Sequence, residues 1–220
     1  MSTSKRPRPR RRAPAGRYHH GDLRRALVEA AIELVRLRGP DGFTLREAAR
    51  RVGVSQTAPY RHFDTKEALL AAVAEEGFRT LHRRLVEVTA SASPDPRARL
   101  REQGLACFEF YVADPARFRV MFARASSRRE RYPALAGAWQ GVNALLLTSL
   151  MACQREGQLR GGDPLELGLA TAAMTHGLAA LAIEGHLGDA VLEDRAALRE
   201  LYRRAGAVLY RGLHPAGKEE

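Results

Sequence analysis

The segment that most restricts the fold of this chain is residues 44–70, TLREAARRVGVSQTAPYRHFDTKEALL. It reads as two short helical runs joined through a glycine and followed at once by the start of a third helix. Thr44 with Glu47 three residues on is a capping box, in which the Thr hydroxyl accepts a first-turn N–H and the Glu carboxylate reaches back to the cap N–H. Phe43 stands where a hydrophobic staple would sit. Within residues 45–52, Leu45, Ala48, Ala49 and Val52 recur at helical spacing, so one face packs inward and Arg46, Arg50 and Arg51 are left to solvent or phosphate. Gly53 supplies the positive φ of a tight turn, with Val54 packed beneath it.

The second run, re-entered at residues 55–57, exposes Gln56, Thr57, Tyr60, Arg61 and His62, side chains of the kind that reach base edges and phosphates in a major groove. Pro59 lacks an N–H and is tolerated only in a first helical turn, which predicts a late-starting recognition helix with Thr57 as its cap. Phe63 closes the unit as a core anchor. Asp64 or Thr65 caps the following helix, and Asp64 with Glu67 is a second possible capping box. Lys66 then stands beside a helix N-terminus, where free N–H groups also attract a phosphate.

The charge is placed to match. The chain carries 36 Lys and Arg against 25 Asp and Glu, a net charge of +11, and residues 1–66 hold 16 basic against 6 acidic side chains. Nearly all of the excess therefore sits beside the helix-turn-helix, which implies a polyanionic partner. Residues 1–16 contain basic residues, no acidic ones, and prolines 7, 9 and 14; such a stretch is expected to be a disordered arm, either following a DNA backbone or serving as a solubilising tail. It lacks the apolar run of a secretory signal, which predicts a cytoplasmic chain.

The stretch GVSQTAPYRHFDTKEALL resembles the signature of the TetR family of transcriptional regulators: a Gly-Val-Ser turn, Tyr-x-His-Phe in the recognition helix and Lys-Glu-x-Leu-Leu opening the next. By motif the resemblance covers about residues 18–73, and by length and helical character the remainder. It implies that Gln56, Thr57 and Ala58 face the bases, that Tyr60, His62 and Lys66 hold phosphates, and that Thr44 touches the backbone; Ser55 and Arg61 complete the expected DNA-binding set. Pro59 departs from the family pattern, where Leu is frequent, and leaves the tilt of the helix and its base register open.

The rest of the chain reads as all-α. A helix over residues 21–38 carries a stripe of Leu23, Leu27, Ala30, Leu34 and Leu37 and stops at Gly39-Pro40-Asp41-Gly42; a long one over residues 66–89 is able to leave the DNA-binding unit and enter a second domain. Further helical patterns span residues 97–113, 116–124, 131–158, 164–185 and 194–212. The expected organisation is about nine helices: a basic arm over 1–17, a three-helix DNA-binding domain over 18–65, a helical effector-binding and dimerisation domain over 66–213, and a tail over 214–220.

Residues 164–185 are apolar around most of their girth, and Leu198, Leu201, Tyr202, Ala205, Val208 and Leu209 add a second stripe. Two such helices from each of two subunits would build a four-helix homodimer interface, and a two-fold dimer would supply the second half-site of a palindromic operator. Glu166, His176 and Glu184 argue against a membrane span there. The resemblance further implies a small-molecule effector pocket, for which Phe108, Tyr111, Phe118, Phe122, Trp139 and Met174 are the bulky candidates and His176 the polar one. Thr175-His176-Gly177 is similar to a Trp-His-Gly signature of one C-terminal subgroup, with Thr in place of Trp.

Enzyme chemistry has little support. There is no phosphate loop, no Gly-x-Ser-x-Gly, no His-Glu-x-x-His and no Cys-x-x-Cys. His19 and His20 beside Asp22 would diverge at a helix entrance, so no metal and no cofactor is expected. Cys107 and Cys153 are expected as free buried thiols, a disulfide switch being the minor reading. The functional expectation is a ligand-responsive regulator of transcription, most simply a repressor released by its effector. An activator, or an architectural DNA binder without effector, is the alternative.

Overall fold

The computed structural model describes residues 20–123, 128–188 and 194–212, with side chains from Leu23 onward; the basic arm, His19, His20 and Asp22 as a metal site, and the tail beyond residue 213 lie outside what is described. The described residues form an all-α fold of eight α-helices and two 3₁₀ turns without a strand. In order these are α1 (His20–Arg38), α2 (Leu45–Val52), a 3₁₀ turn (Ala58–Arg61), α3 (Lys66–Ser91), α4 (Pro96–Ala113), α5 (Pro115–Met121), a second 3₁₀ turn (Arg129–Arg131), α6 (Pro133–Arg155), α7 (Pro164–Ile183) and α8 (Arg195–Gly212). The ninth expected helix, the recognition helix, is the first of the 3₁₀ turns.

Two helices start one residue earlier than the sequence pattern suggests, at Pro96 and Pro115, and the one expected from residue 131 starts later, at Pro133. Pro96 and Pro115, expected as breaks, each open a helix, as Pro133 and Pro164 do. At the first position of a helix the missing N–H has no intrahelical partner to lose, and the fixed φ of proline is already helical. Asp95, Asp114 and Asp163 precede three of these prolines and accept first-turn N–H bonds through their side chains.

The helices bury a core that is continuous from α1 to α8. Its spine is α3, whose 26 residues span about 39 Å. Leu69, Leu70 and Val73 near its start are buried with Leu27, Ala31 and Leu34 of α1; Phe78, Leu81 and Leu85 further on are buried with residues of the larger domain. Leu37, expected in the buried stripe of α1, is 67% exposed. Val28, Ala31 and Val35 continue the stripe in its place. A smaller cluster joins Leu100, Leu150, Cys153, Leu159, Leu167 and Tyr210 at one end.

Two glycines mark close helix approaches. A Cβ on Gly77 of α3 would lie 2.6 Å from Met121 Sδ of α5, and one on Gly104 of α4 would lie 2.3 Å from the Tyr202 hydroxyl of α8. That hydroxyl is 3.0 Å from Thr175 Oγ1, so α4, α7 and α8 meet at one buried hydrogen bond. Both α6 and α7 are long and apolar enough to cross a membrane by length and composition, where the sequence reading had found only α7. Here α6 packs on α3 and α4, and α7 on α4.

Candidate nucleic-acid interface and effector cavity

The turn is built by its own residues. Thr44 N donates to Glu47 Oε2 at 2.9 Å and Glu47 N donates to Thr44 Oγ1 at 3.3 Å, so both halves of the capping box form. Arg38 Nη1 lies 2.9 Å from Glu47 Oε1 and, ahead of the Thr44 bonds, holds that carboxyl below its ordinary range. Gly53 ends α2 at φ 80°, its N–H returning to the Ala49 and Arg50 carbonyls.

The recognition segment departs from expectation. Only Ala58–Arg61 is helical, and it is 3₁₀. An α-helix continuing from Ser55 would bond the Ser55 carbonyl to the N–H of residue 59, and Pro59 has none. Ala58 N donates to the Ser55 carbonyl instead, at 3.0 Å, and His62 N and Phe63 N both donate to the Pro59 carbonyl at 2.9 Å. Thr57 makes no side-chain cap, a correction to its expected role; its hydroxyl lies 3.2 Å from Ser55 Oγ. Pro59 and Phe63 are buried as the segment's anchors.

Most of the expected DNA-contact residues are exposed. Thr44, Ser55, Gln56, Thr57, Tyr60 and Arg61 are exposed, while Ala58, His62 and Lys66 are half-buried. Lys66 is partly engaged: its Nζ donates to the Asp41 carbonyl at 3.2 Å and lies 5.5 Å from the Phe43 ring centroid. Thr65, not Asp64, caps α3 by accepting from Ala68 N. Of the arginines expected to be free, Arg50 pairs with Glu47 and Arg51 with Glu33. Arg46 and Arg61 have no ion pair among the described residues, so of the three arginines left to solvent or phosphate by the sequence only Arg46 stays unpaired.

In the larger domain a cavity of about 480 Å³ opens between α3, α4, α6 and α7, within the size range of small-molecule sites. Tyr111, Phe122, Trp139 and His176 of the expected set line it. Phe118 sits behind them, its ring centroid 5.4 Å from Tyr111 and 5.0 Å from His176. Phe108 and Met174 do not line it: Phe108 is fully buried and stacks on Tyr202 at 5.1 Å, and Met174 packs into the core. The lining that sequence reasoning missed is aliphatic, chiefly Leu100, Val142, Leu146, Leu150, Leu165 and Leu169. Its only sequence signal was the apolar girth of residues 133–155 and 164–183, which core packing produces equally well.

Among the described residues no charged side chain lines the cavity. Burial holds the His176 imidazole below its ordinary range and so neutral, and pushes the Cys107 thiol up to about 12. Cys153, in the other core cluster, is pushed up to about 11. Both thiols are free and protonated, which disfavours the thiol–disulfide switch. No group of side chains suited to hold a metal occurs among the described residues.

One short helix joins the two regions. Asp114, the cap of α5, pairs with Arg36 of α1 at 3.2 Å, and Arg117 pairs with Asp114 and with Glu76 of α3. On the cavity side, Phe118 and Phe122 of the same segment pack on His176, Phe122 at 4.5 Å between ring centroids.

Comparison with known proteins agrees with this architecture. Residues 27–73 match the family "Bacterial regulatory proteins, tetR family" and residues 100–208 match "Tetracyclin repressor-like, C-terminal domain". The tetracycline repressor protein class C of Escherichia coli is 48% identical over 52 residues, 24% of each chain, so the match spans about a quarter of that relative's length. A protein with unknown function from Rhodococcus sp. RHA1 superposes with a TM-score of 0.71 at 31% identity, covering 90% of this chain and 99% of that one. A bacterial regulatory protein in the tetR family from Rhodococcus RHA1 superposes at 0.68 with 22% identity, covering 87% and 97%. With the helix-turn-helix at one end and the matching helical domain at the other, the chain belongs to the TetR family of DNA-binding transcriptional regulators.

Proposed function

We propose that this protein is a homodimeric, cytoplasmic repressor that binds a palindromic operator through the exposed side chains around Gln56–Arg61 and is released by a small molecule occupying the larger domain's cavity. One observation carries the reading: α5 packs on α1 of the helix-turn-helix unit and, through Phe118 and Phe122, on His176 in the cavity wall. A ligand that displaces Phe122 or His176 shifts α5, and the Arg36–Asp114 pair passes that shift to α1. Operator affinity falls in proportion to the ligand's preference for the displaced state.

The dimer reading is supported by apolar surface that a single chain leaves uncovered. On α7 Leu181 is 42% exposed, and on α8 Val208 is 63% exposed. Exposed apolar side chains on neighbouring helices are what an interface would cover. The name of the Escherichia coli relative, tetracycline repressor protein class C, favours repression over activation.

The test is selection of DNA from fragments of the source genome by the purified full chain at physiological salt. Enrichment of one palindrome, bound by two chains, is the expected result, and a reporter driven by that promoter should rise when the gene for this protein is deleted. Salt-labile binding without an enriched sequence would instead establish the architectural binder. On the enriched site, Gln56→Ala and Arg61→Ala should relax base preference, whereas Lys66→Ala should weaken all sequences and flatten the salt dependence by about one unit.

A further inference from the structure

The geometry points to an uncharged, largely apolar ligand for this cavity, bearing one carbonyl oxygen that the Tyr111 hydroxyl and the His176 imidazole hold between them. The inference rests on the cavity being the effector site and goes on to name the chemistry it selects.

Three observations converge. First, the wall itself carries no Asp, Glu, Lys or Arg among the described residues, and the nearby Arg129 guanidinium is taken up against the Trp139 ring at 4.7 Å, so an ion entering the cavity would be stripped of water with no counter-charge among the lining side chains. Second, the polar groups of the wall are mostly spent. The Thr171 hydroxyl donates to the Leu167 carbonyl, Thr175 is bonded to Tyr202, and an Asn143 amide hydrogen is held by the Trp139 carbonyl at 2.7 Å. Third, the wall groups without a hydrogen-bond partner among the described residues include the Tyr111 hydroxyl and both ring nitrogens of His176.

Those two groups belong to one end of the cavity. Tyr111 is 8% exposed, and its ring and that of His176 share Phe118 and Phe122 as neighbours. Tyr111 offers one O–H donor, and a neutral imidazole offers one N–H donor. A carbonyl oxygen has two lone pairs to receive them. The remainder of the wall, with Leu100, Leu146, Leu150, Leu165 and Leu169, takes the apolar body. Leu165 and Leu169 are also strongly exposed, which places the mouth of the cavity along the first half of α7.

The chain supplies its own reporter, because its single tryptophan, Trp139, lies in the cavity wall. The experiment titrates full-length protein with undecan-2-one, with undecanoate at a pH where the acid is ionised, and with undec-1-ene, following Trp139 emission. The ketone should bind saturably and at least about tenfold more tightly than the carboxylate. Tyr111→Phe, which keeps the ring packing, should cost the ketone about five- to tenfold and leave the alkene unchanged, the size expected for one hydrogen bond. Equal or tighter binding of the carboxylate, no emission change with any probe, or a Tyr111→Phe protein that loses alkene as much as ketone would each overturn the proposal. Operator binding is measured separately on the same samples. A ketone that binds without releasing DNA would leave this inference standing and sink the effector role instead.

Discussion

The DNA-reading turn and the cavity differ in how far apart in sequence their parts lie. The cap and backbone bonds that shape the turn, from the Thr44–Glu47 box through Gly53 to the Pro59 carbonyl, join residues within five positions of each other. The cavity wall draws Phe78, Tyr111, Trp139 and His176 from four different helices. Local bonds specify a conformation by residue type and spacing, so they can be read along the chain. Nonlocal contacts depend on which helix faces meet, and many apolar sequences satisfy that equally well.

The comparison can be broken at its base by asking whether the two regions are separable at all. Phe63→Ala in the turn unit and Phe108→Ala in the larger domain each empty a buried aromatic site and should each cost about 3–5 kcal/mol. Because one core cluster holds both residues, each variant should melt in a single, earlier thermal transition. Two resolved transitions in calorimetry would show two independent units and undo the coupling through α5.

Two glycines sharpen the contrast between local and nonlocal cause. Gly104→Ala drives a Cβ into the Tyr202 hydroxyl and should break the Thr175 bond, for about 1–3 kcal/mol of overpacking. Gly53→Ala meets no atom within 4 Å, yet its φ of 80° should cost about 1–2 kcal/mol from backbone strain alone. Denaturant melts of the double variant should show the two losses adding, since the sites share no partner.

Smaller effects follow at the cap. Thr44→Ala should cost about 1 kcal/mol. Glu47 has a folded pKa below its ordinary 4.5, so its contribution is present above that value and lost as pH falls through the folded pKa. Wild-type stability measured down through this acid range should decline more than that of Glu47→Gln; parallel curves would mean the Arg38 and Thr44 bonds add nothing. The smallest change in stability, under about 1 kcal/mol, is expected for Pro59→Ala. It restores the N–H at position 59 that an α-helix would donate to the Ser55 carbonyl, now bonded to Ala58 N, so helicity by circular dichroism should rise and the preferred bases should shift.

Much of the fold was legible for the physical reason the two regions illustrate. Helix positions followed from apolar spacing, and the misplacements were informative. Pro96 and Pro115 fall in expected breaks yet open helices, because a proline's missing N–H marks a boundary without saying on which side the helix lies. Leu37 was placed in the core because spacing alone continues a stripe past the point where a neighbouring helix ends it. In the candidate site, exposure of Gln56, Thr57, Tyr60 and Arg61 agrees with the sequence reading, while Lys66 is drawn back to the Asp41 carbonyl by a loop 25 residues away.

By itself the sequence determined the helical class, the Thr44–Glu47 capping box and the turn at Gly53, because each depends on a few neighbouring residues and on backbone donors and acceptors that must be satisfied locally. Only the tertiary structure decided that the reading segment is a 3₁₀ turn anchored by Pro59 and Phe63, that Phe108 is core while Tyr111 is wall, and that α5 touches both regions. Those outcomes rest on packing between helix faces far apart in the chain, where apolar side chains of similar size are interchangeable until the neighbouring helices fix which of them is covered.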